Sequence, residues 1–143
     1  MRYFDSGVLL KLYLPEFRTP EASQHFRQAP VLVPFTPLHG VEVRSALRQK
    51  VGRGEISAAE CARLLQAVDS DLASGVYSTP TIGWPDVYLE AETLSAAHTV
   101  STLCRSLDIL HVALAVVLGA SELCTFDVRQ ARMAKAAGIS VIP

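Results

Sequence analysis

A chain of 143 residues that is 50% hydrophobic and 19% charged is long enough to bury a core and fits one domain, residues 1–143, more naturally than two. Its 13 Lys and Arg against 14 Asp and Glu leave a formal charge of −1, which excludes a bulk cationic field for gathering polyanions, so any nucleic-acid contact must be local. Cys61, Cys104 and Cys124 are few and odd in number, which argues against a disulfide scaffold and for small core residues in a reducing compartment. Arg2, Asp5 and Lys11 interrupt the N-terminal apolar residues, and the longest apolar run, 112–118, is far below the roughly 20 residues of a membrane span. The expectation is a soluble, cytoplasmic protein with no membrane partner.

Residues 2–5 read as a short strand, and Val8, Leu9, Leu12 and Tyr13 then recur at helical spacing until Pro15. Thr19-Pro20 and Thr36-Pro37 each read as an N-cap followed by proline at the first helical position. The first opens a surface helix to Gln28, and the second follows a strand at 31–35 and opens a long helix to about Val51. Ser57-Ala-Ala-Glu60 is a capping box before the stripe Leu64, Leu65, Val68 and Leu72, which Gly75 closes. A third strand is expected at 76–79, then a loop from Pro80 to Pro85 and a helix from Asp86, itself read as a cap, to about Leu103. Ser106 is read as the cap of a helix over 108–118. A strand at 123–126, a helix capped by Asp127 and ended by Gly138, and a last strand at 139–142 complete the chain. Short strands alternating with helices predict an α/β fold with a central, mainly parallel sheet.

In such sheets ligands collect at the carboxyl ends of the strands. Asp5 ends the first strand and Asp127 follows the strand at 123–126, so the two share an edge if those strands are neighbours. Glu42 lies between Leu38 and Ala46 in the helix after the second strand. Asp108 is the one charge in a helix that is otherwise apolar almost all round, the mark of a buried helix. Two carboxylates about 4 Å apart repel by roughly 4 kcal/mol at an effective dielectric near 20, so four around one pocket need a compensating cation. Lys11, Lys50 and Lys135 are read as lying on solvent faces. An all-oxygen, high-charge pocket suits Mg²⁺ or Mn²⁺ and lacks the Cys/His set of a tight zinc site. Such ions activate water and stabilise a phosphodiester under attack, which makes hydrolytic phosphodiester cleavage the expected chemistry.

Each residue also has an ordinary structural explanation. Asp127 is by itself an N-cap, and Asp108 in a first helical turn favours the helix dipole. His111 and His39 each read first as hydrogen-bonded structural histidines. Arg44, Arg48 and Arg105 are candidate phosphate contacts whose simpler reading is solvated surface. The functional reading rests on the set of acids and its placement.

The order of motifs carries a resemblance. Tyr3-Phe-Asp-Ser-Gly-Val-Leu-Leu-Lys-Leu-Tyr-Leu-Pro-Glu16 resembles the opening of PIN-domain ribonucleases, in particular the VapC-type toxins of toxin–antitoxin pairs. Val41-Glu-Val-Arg-Ser-Ala-Leu47 resembles the segment bearing that family's helix glutamate. Ser106-Leu-Asp-Ile-Leu-His-Val-Ala-Leu-Ala115 resembles its third acidic motif, and Thr125-Phe-Asp-Val-Arg-Gln-Ala-Arg-Met-Ala-Lys-Ala-Ala-Gly138 its fourth. The resemblance implies a three-layer α/β/α sandwich around a mainly parallel sheet of four or five strands. It implies a metal-dependent endoribonuclease whose quartet is Asp5, Glu42, Asp108 and Asp127, holding one or two Mg²⁺ or Mn²⁺ ions. Ser6 and Thr125 fall where the family orients its carboxylates with small hydroxyl residues. The implied partners are an RNA substrate, an antitoxin protein and a second copy of the chain. Gly7 departs from the family, whose members commonly carry a side chain there.

Other classes fare worse on the same residues. A haloacid-dehalogenase-like phosphatase would need a second aspartate two residues after Asp5, where Gly7 stands. A P-loop enzyme would need a glycine-rich G-K-S/T segment, which the chain lacks. A catalytically silent PIN-like module that only binds a protein partner is the alternative that all four acids argue against.

Overall fold

A computed structural model describes all residues, 1–143. The chain divides into two compact units, one of Met1–Asp5, Ala29–Val31 and Thr81–Pro143, the other of Ser6–Gln28 and Leu32–Pro80.

The first unit is built on three parallel strands in the order β1-β4-β5: β1 (Arg2–Phe4), β4 (Glu122–Cys124) and β5 (Ser140–Ile142). Arg2, Tyr3 and Phe4 face Glu122, Leu123 and Cys124 in register, and β4 pairs in turn with β5. Beyond the strands the ladder continues for one bond on each side, Asp5 N–H donating to the Cys124 carbonyl and Thr125 N–H to that of Ile142. Three helices pack in this unit: α5 (Trp84–Thr102), α6 (Ser106–Val117) and α7 (Val128–Ala136). α6 buries Ile109, His111, Val112, Ala113, Leu114 and Ala115, a face too wide for a surface helix and the physical reason its sequence is apolar nearly all round. Tyr3, Phe4, Leu123, Cys124 and Met133 are fully buried with it.

The second unit holds α1 (Ser6–Tyr13), α2 (Thr19–Arg27), α3 (Pro37–Gly52) and α4 (Ala58–Ala73), with β2 (Val33–Pro34) pairing in parallel with β3 (Tyr77–Ser78). Its core is Val8, Leu9, Val33, Phe35, Val43, Leu47, Leu64 and Val68. The Phe35 and Tyr77 rings meet at 5.2 Å between centroids. Gly75, at φ 75°, ends α4 in the left-handed region where a side chain would be strained.

The five parallel strands therefore fall in sheets of three and two rather than in one sheet of four or five. β2 and β3 are only two residues each because Pro34 carries no N–H to extend a ladder; Phe35 N–H, bonded to the Ser78 carbonyl, closes the pair.

Three helix starts differ from expectation. Thr19 is the first residue of α2, and the N-cap is Arg18 at φ 71°. The Thr19 hydroxyl is taken up in the preceding turn, where it accepts from Glu16 N–H at 2.8 Å and donates to the Lys11 carbonyl. Ser106 is likewise helical, behind an Arg105 N-cap. α5 begins at Trp84, which puts Asp86 in its first turn instead of at the cap, where its charge still suits the helix dipole. Thr36 and Ser57 do cap α3 and α4, Thr36 accepting from His39 N–H and Ser57 from Glu60 N–H. No helix is long and apolar enough to cross a membrane.

Candidate metal centre

The sequence required β1 and β4 to be neighbours if Asp5 and Asp127 were to meet, and they are adjacent parallel strands. Thr125, the residue after β4 and 1% exposed, ties the two acids together. Its hydroxyl donates to Asp5 Oδ2 at 2.7 Å and its oxygen accepts from Asp127 N–H at 3.1 Å. β4 stops at Cys124, short of the expected 123–126, because Thr125 and Phe126 turn the chain into α7.

Asp127 is the N-cap of α7. Its Oδ1 accepts from the backbone of Arg129 at 2.7 Å and of Gln130 at 3.0 Å, so the ordinary reading of this residue is correct for one of its two oxygens. The other, Oδ2, lies 3.8 Å from the Arg105 guanidinium. Asp108 sits in the first turn of α6, its side chain 16% exposed, and its Oδ2 accepts from Arg105 Nε at 2.9 Å. One guanidinium thus serves two of the aspartates, and Asp108 holds the Arg105 pKa above its usual value, with a smaller push from Asp127. Burial, and then the charges of Asp108 and Asp127, push the neighbouring Cys104 thiol up to about 11.

Glu42 belongs to the second unit, on α3, where its Oε2 accepts from the Ser6 hydroxyl at 2.7 Å. Ser6 is 8% exposed and is the residue that follows Asp5 in the chain. Gly7 is the second residue of α1.

The remaining candidates divide. His39 Nδ1 accepts from Thr36 N–H at 2.9 Å, completing a capping box, and His111 Nδ1 meets the Tyr3 hydroxyl at 2.8 Å in full burial. Both histidines are structural. Arg44 is half-buried in an ion pair with Asp69, so it is not simply solvated surface, whereas Arg48 is exposed. With Pro37, Gly40, Val41 and Ser45 the two arginines line an open groove of about 410 Å³ along α3. Lys50 and Lys11 are not on open solvent faces: their side chains are 15% and 18% exposed and both pair with Glu16, at 2.6 and 3.0 Å. Those lysines hold the Glu16 carboxyl below its ordinary pKa. Lys135 is exposed.

Arg105, expected as a phosphate contact or solvated surface, is instead paired with Asp108 and Asp127, and its i,i+3 spacing to Asp108 was the available signal. One residue escaped the sequence reading. Gln130, on α7 and 1% exposed, reaches the Asp108 carbonyl through Nε2 at 3.4 Å, while its Oε1 is buried with no hydrogen-bond partner. Nothing local in the sequence marks a glutamine for burial.

As the side chains stand, no three His, Cys, Asp or Glu residues are grouped closely enough to hold one ion. The donor set of the first unit is carboxylate and hydroxyl oxygen, the chemistry that suits hard divalent cations. A cationic group, Arg105, already sits against two of these carboxylates. Their donor chemistry is of the kind hard divalent cations take, but the side chains are not gathered into a group that holds one, and Arg105 is the cation that two of these carboxylates face.

No protein-family model matches the sequence, and no curated protein does either. Among solved structures, the chain is similar to FitAcB from Neisseria gonorrhoeae, with a TM-score of 0.67 over 100% of this chain and 97% of that one at 13% sequence identity. The two share a fold, an α/β arrangement of seven helices with a small parallel sheet in this chain.

Proposed function

We propose that this chain is a metal-dependent endoribonuclease of the PIN-domain, VapC-like toxin class. The observation that carries the reading is the Asp5–Thr125–Asp127 linkage at the adjacent carboxyl ends of β1 and β4, with Asp108 joined to Asp127 through one guanidinium. That places acids where open α/β sheets put their ligands, and the motif order of the whole chain points the same way.

Asp5, Asp108 and Asp127 would hold the ion, with Glu42 as the fourth carboxylate of the quartet. Bound there, Mg²⁺ or Mn²⁺ supplies Lewis-acid stabilisation of phosphoryl charge and acidifies a water. The protein's share is orientation. Thr125 fixes the Asp5 carboxylate, Ser6 fixes Glu42, and the α7 cap holds Asp127 Oδ1 while Oδ2 faces Arg105. Arg44, Arg48 and Arg105 supply the local positive charge for RNA phosphates that a net charge of −1 does not. The same reading assigns an antitoxin protein and a second copy of the chain as partners, and a cytoplasmic site of action.

Incubation of the purified protein with single-stranded RNA tests the activity. Cleavage is expected with Mg²⁺ or Mn²⁺, and loss of it in EDTA and in Asp5→Asn. Equal cleavage in EDTA, or full activity of Asp5→Asn, overturns the reading.

A further inference from the structure

We infer that the outward face of α5 is where a second copy of this chain docks, the two α5 helices lying antiparallel with Ala96 near the two-fold axis. This rests on the second-copy partnership proposed above and not on the metal-dependent activity.

α5 is apolar on both of its sides. Inwardly it buries Val87, Leu94 and Thr102. Outwardly Leu89, Thr93, Ala96, Val100 and Leu103 are all exposed, Val100 by 92%. Their spacings of 4, 3, 4 and 3 residues make a seam of the kind by which two helices interlock. Leu103, the C-cap, keeps a large apolar side chain exposed at φ 55°, in the left-handed region where glycine is the usual residue. A helix apolar all round is ordinarily covered all round. This side of α5 is open.

Charge decides both the occupant and its direction. From Thr93 to Cys104 the chain carries no Lys, Arg, Asp or Glu, although soluble surfaces are normally laced with charge. Asp86, Glu90 and Glu92 all lie in the first half of α5, and the exposed Arg105 lies just beyond its second half. Parallel pairing would set acid against acid. Antiparallel pairing sets the three acids against the uncharged half and Arg105 of the other copy, a match that one surface makes with a copy of itself. The small side chains of Thr93 and Ala96 at the middle let the helices approach, and Leu89 of one copy then meets Val100 and Leu103 of the other. Tyr88 and Leu107, both exposed, widen the seam at its ends. With 19 residues α5 is about 28 Å long, and one helix pair of that length buries less than the roughly 800 Å² per partner of a standard interface. Micromolar association is expected.

Sedimentation velocity of the full chain between about 1 and 200 μM tests this. Wild type is expected to pass from monomer to dimer across that range. Val100→Glu loses no internal packing, so at the dilute end its melting temperature should match that of wild type, while its dimer dissociation constant rises about tenfold or more. Phe17→Glu makes the same exchange at an exposed residue of the other unit and is expected to leave the dimer unchanged. Leu89→Cys mixed with Leu103→Cys should give covalent dimers with a short thiol cross-linker, far more than either variant alone, because antiparallel helices bring these two positions together. A dimer indifferent to Val100→Glu, an equal loss in Phe17→Glu, or cross-links as abundant in each variant alone overturns the α5 face as inferred and leaves the second-copy partnership standing. A wild type that stays monomeric throughout overturns that partnership as well, and the seam then fits a different protein.

Discussion

Thr125 Oγ1 donates to Asp5 Oδ2 at 2.7 Å while accepting from the Asp127 N–H at 3.1 Å, so a single buried hydroxyl sets the relation between two strands' terminal acids. Thr125→Val keeps the shape but removes the hydroxyl's bonds to that N–H and to Asp5 Oδ2, at a cost of about 1–3 kcal/mol. Thr125→Ser keeps both bonds and loses one buried methyl, about 1 kcal/mol. Chemical denaturation should rank the variants in that order. RNA cleavage should fall steeply in the valine variant and mildly in the serine one.

The two jobs of Asp127 can be separated. Asp127→Asn retains a good cap, whereas Asp127→Ala removes one and should destabilise the protein by about 1 kcal/mol, within a range of about 0.5–2. Both variants lose the carboxylate charge, and both should lose about a hundredfold or more in metal-dependent cleavage. An active Asp127→Asn would reduce this residue to a cap.

Arg48 lies exposed along the α3 groove and Arg44 beside it is tied to Asp69. Each phosphate contact on a single strand adds about 0.7 to the slope of log affinity against log salt. Arg48→Ala should therefore flatten that slope by about 0.7 and weaken RNA binding alike across sequences. Filter binding at several salt concentrations measures it.

In the second unit the Tyr13 hydroxyl donates to Asp71 at 2.8 Å and lies 3.0 Å from the Tyr77 hydroxyl. Burial pushes the Tyr77 phenol up to about 12, and it raises Tyr13 as well, reinforced there by Tyr77 and Asp71. A phenol whose folded pKa is raised contributes stability that is complete below the unfolded value near about 10 and lost as the pH climbs through the folded one. Unfolding should thus steepen between roughly pH 10 and 12, and Tyr77→Phe should lessen that dependence. Alkaline melts followed by circular dichroism and tyrosinate absorbance give the comparison.

Gln130 is the opposite case, a buried polar group short of a partner, its Oε1 unsatisfied. Gln130→Met, similar in volume, removes that orphan and forfeits only a long 3.4 Å bond to the Asp108 carbonyl. The melting temperature should rise, by the equivalent of up to about 1 kcal/mol. A fall would show that the amide is needed to hold α7 against α6.

Local chemistry was legible where one signal had one physical use. Thr36-Pro37 and Asp127 cap the helices that follow them, Thr36 Oγ1 accepting from His39 N–H and Asp127 Oδ1 from the backbone of Arg129 and Gln130. Thr19-Pro20 carries the same pattern and fails, since the Thr19 hydroxyl is claimed by Glu16 and Lys11 of the preceding turn. The division of five strands into three and two was out of reach because pairing partners lie far apart in the chain. The acids could be picked out as anomalies in apolar surroundings. Arg105 could be picked out as a phosphate contact but not as the partner of Asp108 and Asp127, and Gln130 not at all, for a glutamine within a helix looks like ordinary surface until tertiary packing gives it neighbours.

The pairing of β1 with β4 also bears on the order in which the molecule can be built. Arg2 meets Glu122, 120 positions later, whereas every segment of the unit containing α1 to α4 exists once residue 80 has been made. Synthesis at about 5–20 residues per second separates Asp5 from Asp127 by on the order of ten seconds. Through that interval β1 has no neighbour and Asp5 has no Thr125. A ribosome carrying an unfinished copy therefore carries Asp5 without the Thr125 hydroxyl that ties it to Asp127, and that linkage must wait until the chain has grown past residue 127.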